Sequence, residues 1–369
     1  MELWKWVAVA VALLVGGYLL LGLLAPPEPL LEEVTFANGE ITLAGTLSLP
    51  SAGKGPHPAV ILISGSGPQN RDEELPGVPG YRPFATIADY LSRRGIAVLR
   101  YDDRGVGGST GDHATATSAD FAADAEAALG YLLGREEIDP KWVGLLGHSE
   151  GGLIAAMIAA RNPAVAFIVS MAGVAVDGYR LLLKQLERIL EAEGSTEEEM
   201  ATALEQQRTV MDLALAERWE EVETFLRGLI LEQLQSLPEE QKAALGDLEE
   251  LAAQQVTIQL AGLQSPWFRF FLSYDPRRDW ERVKVPVLAL FGGLDVQVDA
   301  AQNRVALEEA LARAGNEDVT IVVFPTANHL FQAAETGSPT EYAALSPRFV
   351  PGFLETIAGW LRERVKAKE

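Results

Sequence analysis

The sequence predicts an α/β fold with a mostly parallel central sheet flanked by helices, an inserted all-helical cap and an N-terminal transmembrane helix. Three observations predict it. Short apolar runs alternate along the chain with segments of helical composition, a pattern typical of parallel sheets covered on both faces. The alternation is interrupted at residues 177–266, where leucine, alanine, glutamate and glutamine recur at helical spacing. The chain also begins with an uncharged apolar run long enough to cross a bilayer.

That apolar run covers residues 7–24 and is 18 residues long. Lys5 precedes it and glutamates follow it from Glu28 onward, a weak bias that predicts a cytoplasmic amino terminus with the remaining chain outside. We therefore expect residues 1–29 to anchor the protein in a membrane, with its main domain extracytoplasmic. The alternative is a signal peptide, which would make the protein secreted if cleaved, but no small-residue cleavage site stands out before the prolines that follow.

Residues 30–176 predict the first half of an α/β domain. Residues 34–49 alternate apolar and polar side chains around Asn38 and Gly39, a pair that favours a β-hairpin turn. Apolar runs then predict buried strands separated by helices. The strands are expected at residues 58–63, 96–101, 142–146 and 165–170, and the helices at residues 87–93 and 121–133.

The strand at residues 142–146 leads into the pentapeptide Gly-His-Ser-Glu-Gly at residues 147–151, and an alanine-rich helical run follows. Such a pentapeptide holds its serine on a strained turn, because the flanking glycines have no Cβ to clash with the adjoining strand and helix. Ser149 is therefore a candidate nucleophile. The amide of Glu150, at the positive end of the helix, is a candidate oxyanion donor. A chance match is the alternative, since the chain contains 34 glycines.

Residues 177–266 predict the helical cap, and residues 267–369 the second half of the α/β domain. Two four-residue segments fit a capping box and mark helix starts, at residues 195–198 (Ser-Thr-Glu-Glu) and 236–239 (Ser-Leu-Pro-Glu). Residues 177–265 carry 19 acidic and 7 basic side chains, about half of the formal net charge of −22. Beyond the cap, strands are expected at residues 285–291 and 319–324, and a closing helix at residues 353–365.

The overall composition excludes several functional classes. A net charge of −22 without a basic patch argues against a nucleic-acid partner, because phosphate backbones are bound by clustered lysine and arginine. The chain has no cysteine, so it has no disulfide framework, no thiolate metal site and no cysteine nucleophile. No histidine or carboxylate cluster with metal-ligand spacing is present, and we predict no metal and no cofactor.

A serine nucleophile requires a histidine base and a carboxylate that orients it. Of the four histidines, His57 precedes a strand, His113 lies in a polar loop and His148 belongs to the pentapeptide itself. That leaves His329, directly after the last predicted strand, where an α/β sheet presents residues to a ligand. Asp295 follows the preceding strand through two glycines and is the candidate acid, with Asp299 as the fallback. The serine, acid and histidine then occur in the order expected for this type of hydrolase. A surface histidine and a helix-capping aspartate are the alternatives.

A second oxyanion donor is expected in the loop after an early strand. The small-residue turn at residues 63–68 follows such a strand directly, and the amide of Ser66 is the first candidate, with Gly67 the second. A second glycine-rich loop, at residues 101–109, lacks the Gly-Lys-Ser/Thr ending of a phosphate-binding loop. We interpret that loop as structural, with Arg104 tying loops together near the site.

With these elements in place, the chain from about residue 34 to residue 365 resembles the α/β-hydrolase superfamily. Residues 64–72 (Ser-Gly-Ser-Gly-Pro-Gln-Asn-Arg-Asp) and 147–152 (Gly-His-Ser-Glu-Gly-Gly) resemble bacterial carboxylesterases related to the thermophilic EstD-type esterases. Many of these relatives have a histidine before the first glycine of the oxyanion loop, where this chain has Ser64.

The resemblance implies an α/β-hydrolase fold with Ser149 as nucleophile, Asp295 as acid and His329 as base. It also implies that the amides of Ser66 and Glu150 form the oxyanion hole. It transfers no substrate, because cap sequences diverge freely within the superfamily. The aromatic residues where the cap rejoins the sheet are candidates to line a pocket, and they are Trp267, Phe268, Phe270, Phe271 and Tyr274.

These observations favour a serine carboxylesterase that hydrolyses short- to medium-chain acyl esters through an acyl-enzyme on Ser149. A lipase, a thioesterase, and an amidase or peptidase are alternatives that would share the same three residues. A non-catalytic membrane-tethered interaction protein is an alternative of another class. The expected partners are a small-molecule ester substrate and, through residues 1–29, a membrane. The sequence predicts no oligomeric state.

Overall fold

An eight-stranded sheet forms the centre of the computed structural model, which describes residues 27–366. The strands lie in the order β1-β2-β4-β3-β5-β6-β7-β8. Only β2 runs against its neighbours, and all other adjacent pairs from β4 to β8 are parallel. The strands are β1 (Leu30–Asn38), β2 (Ile41–Leu49), β3 (His57–Ile63), β4 (Ala97–Tyr101), β5 (Ile138–His148), β6 (Ile168–Met171), β7 (Val287–Gly292) and β8 (Val319–Phe324).

The predicted hairpin forms at the edge of this sheet, but its turn lies one residue later than expected. Asn38 pairs with Ile41, so Gly39 and Glu40 are the two turn residues. Gly39 has a φ of +59°, in the left-handed region that glycine adopts most easily. The glycine, rather than the asparagine before it, therefore sets the turn.

Helices cover both faces of the sheet, so the mostly parallel α/β architecture is confirmed. The helices around the sheet are α1 (Pro83–Ser92), α2 (Ser118–Leu133), α3 (Glu150–Ala159), α10 (Arg277–Trp280), α11 (Ala300–Ala314) and α12 (Phe353–Lys366). Side chains of α2, α3, α10 and α11 pack into the apolar core on one face of the sheet. Side chains of α1 and α12 pack into the core on the other face.

A helical insertion lies between β6 and β7. Its helices are α4 (Gly178–Ala192), α5 (Glu197–Leu215), α6 (Trp219–Ser236), α7 (Glu239–Leu245), α8 (Leu248–Gln264) and α9 (Pro266–Ser273). Apolar side chains of α5, α6 and α8 form a small core of their own, centred on Val222 and Val256. The insertion thus buries apolar surface that does not depend on the sheet.

The two predicted capping boxes have different outcomes. Thr196 is the cap of α5, and its amide donates to Glu199 Oε2 across 2.8 Å, so this box begins one residue later than predicted. The second prediction is wrong, because Ser236 is the last residue of α6 and its hydroxyl donates to the Gln233 carbonyl oxygen. Pro238 precedes α7 without a side-chain cap.

The predicted membrane-anchored localisation requires a correction. No helix within residues 27–366 is long and apolar enough to cross a bilayer. The run at residues 7–24, on which the prediction of an anchor or signal segment depended, lies outside the described residues. The structure therefore gives no support to a membrane-anchored protein.

Gly144 of β5 provides a test of the packing between this strand and Phe167, the residue before β6. A Cβ at this position would overlap the ring of Phe167, which is buried and makes an edge contact with Trp360. We expect Gly144→Ala to lower the free energy of unfolding by about 1–3 kcal/mol through overpacking. Phe167→Ala alone should cost about 3–5 kcal/mol, and the double variant should cost at least about 1 kcal/mol less than the sum, because the small side chain fills part of the cavity.

Urea denaturation of the four proteins measures this coupling. Gly130→Ala in α2 is the matched control, since nothing lies within 4 Å of a Cβ built there, and it should not destabilise the fold. Additivity of the two core substitutions within about 0.5 kcal/mol would contradict the proposed contact.

Candidate active site

Ser149 lies on a strained turn between β5 and α3. Its φ of 54° and ψ of −117° are rare for a residue with a side chain. The turn is possible because a Cβ on Gly147 would overlap the carbonyl oxygen of Gly151, and a Cβ on Gly151 would overlap that of Ile63. The Ser149 amide donates to the Met171 carbonyl oxygen across 2.8 Å, which fixes the turn against β6.

His329 and Asp295 lie on the loops after β8 and β7, and a hydrogen bond of 2.9 Å joins His329 Nδ1 to Asp295 Oδ2. The other carboxylate oxygen of Asp295 accepts the amides of Gln297 and Val298, each across 2.8 Å. The Asp295 carboxylate is buried and cannot rotate freely. Because it accepts the hydrogen on Nδ1, Nε2 of His329 is left as the nitrogen that can take a proton.

Asp299, the fallback acid, has a different position. It caps α11, where its carboxylate accepts the Gln302 amide across 2.8 Å. Its second carboxylate oxygen lies 3.3 Å from Arg188 Nε, in the insertion. These partners give Asp299 a structural place at the start of the helix.

One pocket of about 250 Å³ brings the candidate residues together. Ser149, His329 and Ser66 all line it, whereas Asp295 lies behind His329 and Glu150 lies at the start of α3. Apolar side chains of the insertion close the opposite wall. Those wall residues are Leu181, Leu182, Trp267 and Phe271.

The loop that carries Ser66 approaches the nucleophile closely. A Cβ on Gly65 would lie 3.2 Å from the Ser149 Cβ, so a larger residue would push the loop away. The sequence left open what supports this loop, because Ser64 stands where many relatives have histidine. The Ser64 hydroxyl donates to Asp103 across 2.8 Å, and the Gln69 amide donates to the other Asp103 oxygen across 2.9 Å.

Glu73 supplies the third support, since its Oε1 accepts the Gly65 amide across 2.9 Å. Sequence reasoning missed both Asp103 and Glu73. Asp103 follows the end of β4, and this position at a strand end is a signal that could have identified it. Glu73 lies in an irregular segment, and nothing in the sequence pattern indicates that its side chain turns inward.

The Glu150 side chain links the nucleophile turn to the insertion. Its carboxylate accepts the Ser118 hydroxyl across 2.6 Å and the Trp267 indole nitrogen across 2.9 and 3.0 Å. Burial raises the pKa of Glu150, although hydrogen bonds from Ser118, Ser66 and Trp267 oppose the rise. The residue proposed to donate its amide to an oxyanion is thus fixed by helix α9.

The five aromatic residues where the insertion rejoins the sheet pack in different places. Trp267 and Phe271 line the pocket and stack on each other with ring centroids 5.1 Å apart. Phe268 instead lines a second cavity of about 610 Å³ within the insertion. Phe270 and Tyr274 stack on each other and pack against the core.

The loop at residues 101–109 is held by ion pairs, but Arg104 contacts helix α2 rather than another loop. Arg104 makes two hydrogen bonds with Asp124 of α2, of 2.6 and 2.9 Å. Asp102 accepts from Arg71 across 2.8 and 3.1 Å, and Arg71 also pairs with Glu33 of the edge hairpin. The ion pairs join the oxyanion loop to the sheet edge.

Comparison with known proteins places this geometry in context. Residues 60–345 match the alpha/beta hydrolase family. The chain is 30% identical over 320 residues to esterase EstD of Thermotoga maritima, covering 86% of this chain and 64% of EstD. It is 31% identical over 153 residues to an uncharacterised protein of Mycobacterium tuberculosis, covering 39% of this chain and 49% of that protein.

Solved structures share the fold. The Pyrococcus furiosus esterase Pf2001 superposes with a TM-score of 0.54 at 16% identity, covering 92% of this chain and 91% of that one. The similarity to Pf2001 extends through most of both chains. By contrast, the chain spans less than two thirds of the length of EstD.

Asp103 gives the fold a predictable pH dependence. Burial raises its pKa to about 8, against the effect of the Gln69 and Ser64 hydrogen bonds and together with the charges of Glu73 and Glu150. From the ordinary value of 3.8 up to about 8, the unfolded chain releases a proton that the folded chain keeps. The free energy of unfolding should therefore fall as the pH rises through this window and level off above it.

Asp103→Asn removes this titratable group. Urea denaturation at several pH values should show that the free energy of unfolding falls between pH 5 and pH 8 in the wild type, and that it falls less in Asp103→Asn. Parallel pH profiles for the two proteins would show that Asp103 is already ionised at pH 5.

Proposed function

Because the chain belongs to the alpha/beta hydrolase family, we propose that it is a serine carboxylesterase that hydrolyses short- to medium-chain acyl esters. One observation carries the proposal: His329 donates to Asp295 across 2.9 Å and lines the same pocket as Ser149. The similarity to esterase EstD supports an ester of a small molecule as the substrate class.

In the acylation half of the reaction, His329 Nε2 takes the proton of the Ser149 hydroxyl as the oxygen attacks the ester carbonyl carbon. The carbonyl oxygen becomes negative, and the amides of Ser66 and Glu150 stabilise it. His329 then gives its proton to the leaving alkoxide, which departs as the alcohol. The acyl group remains on Ser149, while Asp295 keeps the imidazole oriented and stabilises its positive form.

In the deacylation half, water replaces the alcohol. His329 takes a proton from the water as its oxygen attacks the acyl carbon, and the same two amides stabilise the second negative intermediate. The bond to Ser149 breaks, the serine regains its proton from His329, and the carboxylic acid leaves. The site requires no metal or cofactor for either half.

The pocket size supports the proposed acyl length. A volume of about 250 Å³ next to Ser149 accommodates a short or medium acyl chain against the apolar wall of Leu181, Leu182 and Phe271. Glu73 also borders this pocket, with its carboxyl buried against His148.

A lipase is the second candidate function, and the cavity inside the insertion favours it. This cavity of about 610 Å³ shares Leu182 and Trp267 with the pocket at Ser149, so the two spaces adjoin at these side chains. Its wall is apolar with a few glutamines, although the insertion around it is strongly acidic. A long acyl chain that passed these two side chains would therefore meet no charge.

Ser149→Ala tests the proposed nucleophile. Without the hydroxyl no acyl-enzyme can form, so kcat for p-nitrophenyl butyrate should fall by about 10⁴-fold or more with the fold intact. Labelling by a fluorophosphonate probe should disappear with it. Ser236→Ala, on the exposed end of α6, is the matched control and should retain wild-type turnover. Substantial hydrolysis by Ser149→Ala would refute the assignment.

Leu182→Trp distinguishes a carboxylesterase pocket from a lipase channel. Because Leu182 also lines the pocket at Ser149, the larger side chain should slow butyrate esters modestly while acetate esters stay within about threefold of wild type. Hydrolysis of dodecanoate or longer esters should fall much more if long chains use the cavity of the insertion. A p-nitrophenyl ester series measures the profile. Leu245→Trp, at an exposed position of α7, is the control. A wild-type optimum at short chains that Leu182→Trp leaves unchanged would exclude the lipase function.

A further inference from the structure

Two buried side chains beside the pocket, Glu73 and His148, have no part in the reaction described above. His148 Nδ1 lies 2.8 Å from Glu73 Oε1, and Nε2 lies 3.1 Å from the carbonyl oxygen of His329. The same Glu73 oxygen accepts the Gly65 amide across 2.9 Å. The pair therefore connects the oxyanion loop, the nucleophile turn and the loop of the proposed base.

The partners of His148 determine which hydrogens it carries. The His329 carbonyl oxygen can only accept, so Nε2 of His148 carries a hydrogen. Nδ1 faces Glu73 Oε1, which already acts as an acceptor for Gly65. A carboxylate that accepts both bonds requires a second hydrogen on the ring. His148 is then an imidazolium paired with a negative Glu73.

Two features of Glu73 are energetically unfavourable for the folded state. Glu73 has a φ of 54°, in the region that non-glycine residues rarely adopt. Its Oε2 is buried and has no hydrogen-bond partner among the residues that the structure describes. An apolar pair of similar volume is often at least as stable as a buried ion pair. A strained and incompletely satisfied pair beside Ser149 therefore indicates a catalytic benefit rather than a contribution to stability.

We propose that Glu73 and His148 form a buried ion pair that positions the oxyanion loop and the base loop, and that turnover requires the imidazolium form of His148. Both are positioning residues: Glu73 holds Gly65 next to Ser66, and His148 holds the backbone of His329. The inference rests on the proposed esterase function for its catalytic part.

The groups that face His148 determine the pH range in which the pair persists. Glu73 comes from the segment before α1, and Asp295 and His329 come from the loops after β7 and β8. Burial by itself lowers the pKa of His148. The charge and hydrogen bond of Glu73, the His329 carbonyl and Asp295 outweigh burial and hold this pKa above its ordinary value. Asp103 lies near Glu73 and titrates at about pH 8, so it must be separated from His148 in any pH profile.

Nitrogen-15 NMR of the histidine rings tests the protonation state directly, and the chain has only four histidines. At pH 7.5 one ring should show the imidazolium pattern, with hydrogens on both nitrogens, and its signal should disappear in His148→Gln. In Glu73→Gln the same ring should change to the neutral pattern. Glutamine has the size of glutamate and one acceptor oxygen, but it lacks the negative charge that stabilises the imidazolium. A neutral His148 ring in the wild type at pH 7.5 would overturn the proposal, whatever the activity.

Kinetics test the positioning role. Glu73→Gln should lower kcat by about 10–100-fold with KM changed by less than about threefold, because a neutral ring has one hydrogen for two acceptors and both loops lose their alignment. The alkaline limb of its pH–rate profile should move to lower pH, and should do so equally in an Asp103→Asn background. Glu74→Gln, at the exposed neighbouring position, and His57→Gln, at the far end of β3, are the matched controls and should keep wild-type values.

Wild-type kcat and an unchanged alkaline limb in Glu73→Gln would overturn the proposal. A fall in kcat with no movement of the limb would reduce the pair to a structural contact and would also overturn it. The NMR result is independent of the ester reaction. If Ser149→Ala retained activity, the esterase assignment would fail while the protonation of His148 would still be decided.

Discussion

The close approach of backbone atoms around Ser149 is the constraint on which the rest of the site depends. Gly147 and Gly151 leave room for carbonyl oxygens where any Cβ would overlap them, and Ser149 accepts an unfavourable φ as a result. The turn joins a buried strand to a helix, so the sheet and the helix together hold the strain. The loops that carry Asp295 and His329 follow neighbouring parallel strands and reach the same edge of the sheet.

The features that depend on local sequence could be predicted from the sequence alone. Apolar runs predicted the strands, and the recurrence of leucine, alanine, glutamate and glutamine at helical spacing predicted the helical insertion, because burial and helix propensity act residue by residue. Ser149, Asp295 and His329 could be chosen since each follows a predicted strand end. The ends of the elements were predicted less accurately. β5 begins at Ile138, before an Asp-Pro-Lys segment that does not fit an apolar run, and the cap of α5 lies at Thr196.

The sequence analysis did not identify the two side chains that support the oxyanion loop. Asp103 lies 39 residues from Ser64 along the chain, so that contact exists only after β3 and β4 have paired. Glu73 lies only eight residues from Gly65, but the irregular segment that carries it gives no sequence pattern for an inward side chain. Polarity was also misleading there, because a glutamate in an irregular segment is ordinarily exposed, whereas Glu73 is 2% exposed. Tertiary hydrogen bonds thus determine how the loop is held, while local sequence determines where it lies.

The bond between the Trp267 indole and the Glu150 carboxyl makes the insertion and the nucleophile turn mechanically dependent on each other. If α9 moved outward to admit a substrate, it would withdraw a hydrogen-bond donor from the buried Glu150 carboxyl, whose backbone amide is the proposed oxyanion donor. Ser118 would remain as a partner, so the carboxyl would rebalance its hydrogen bonds rather than become solvated. Opening of the insertion would therefore remove one of the hydrogen bonds that hold the start of α3, where the proposed oxyanion donor lies.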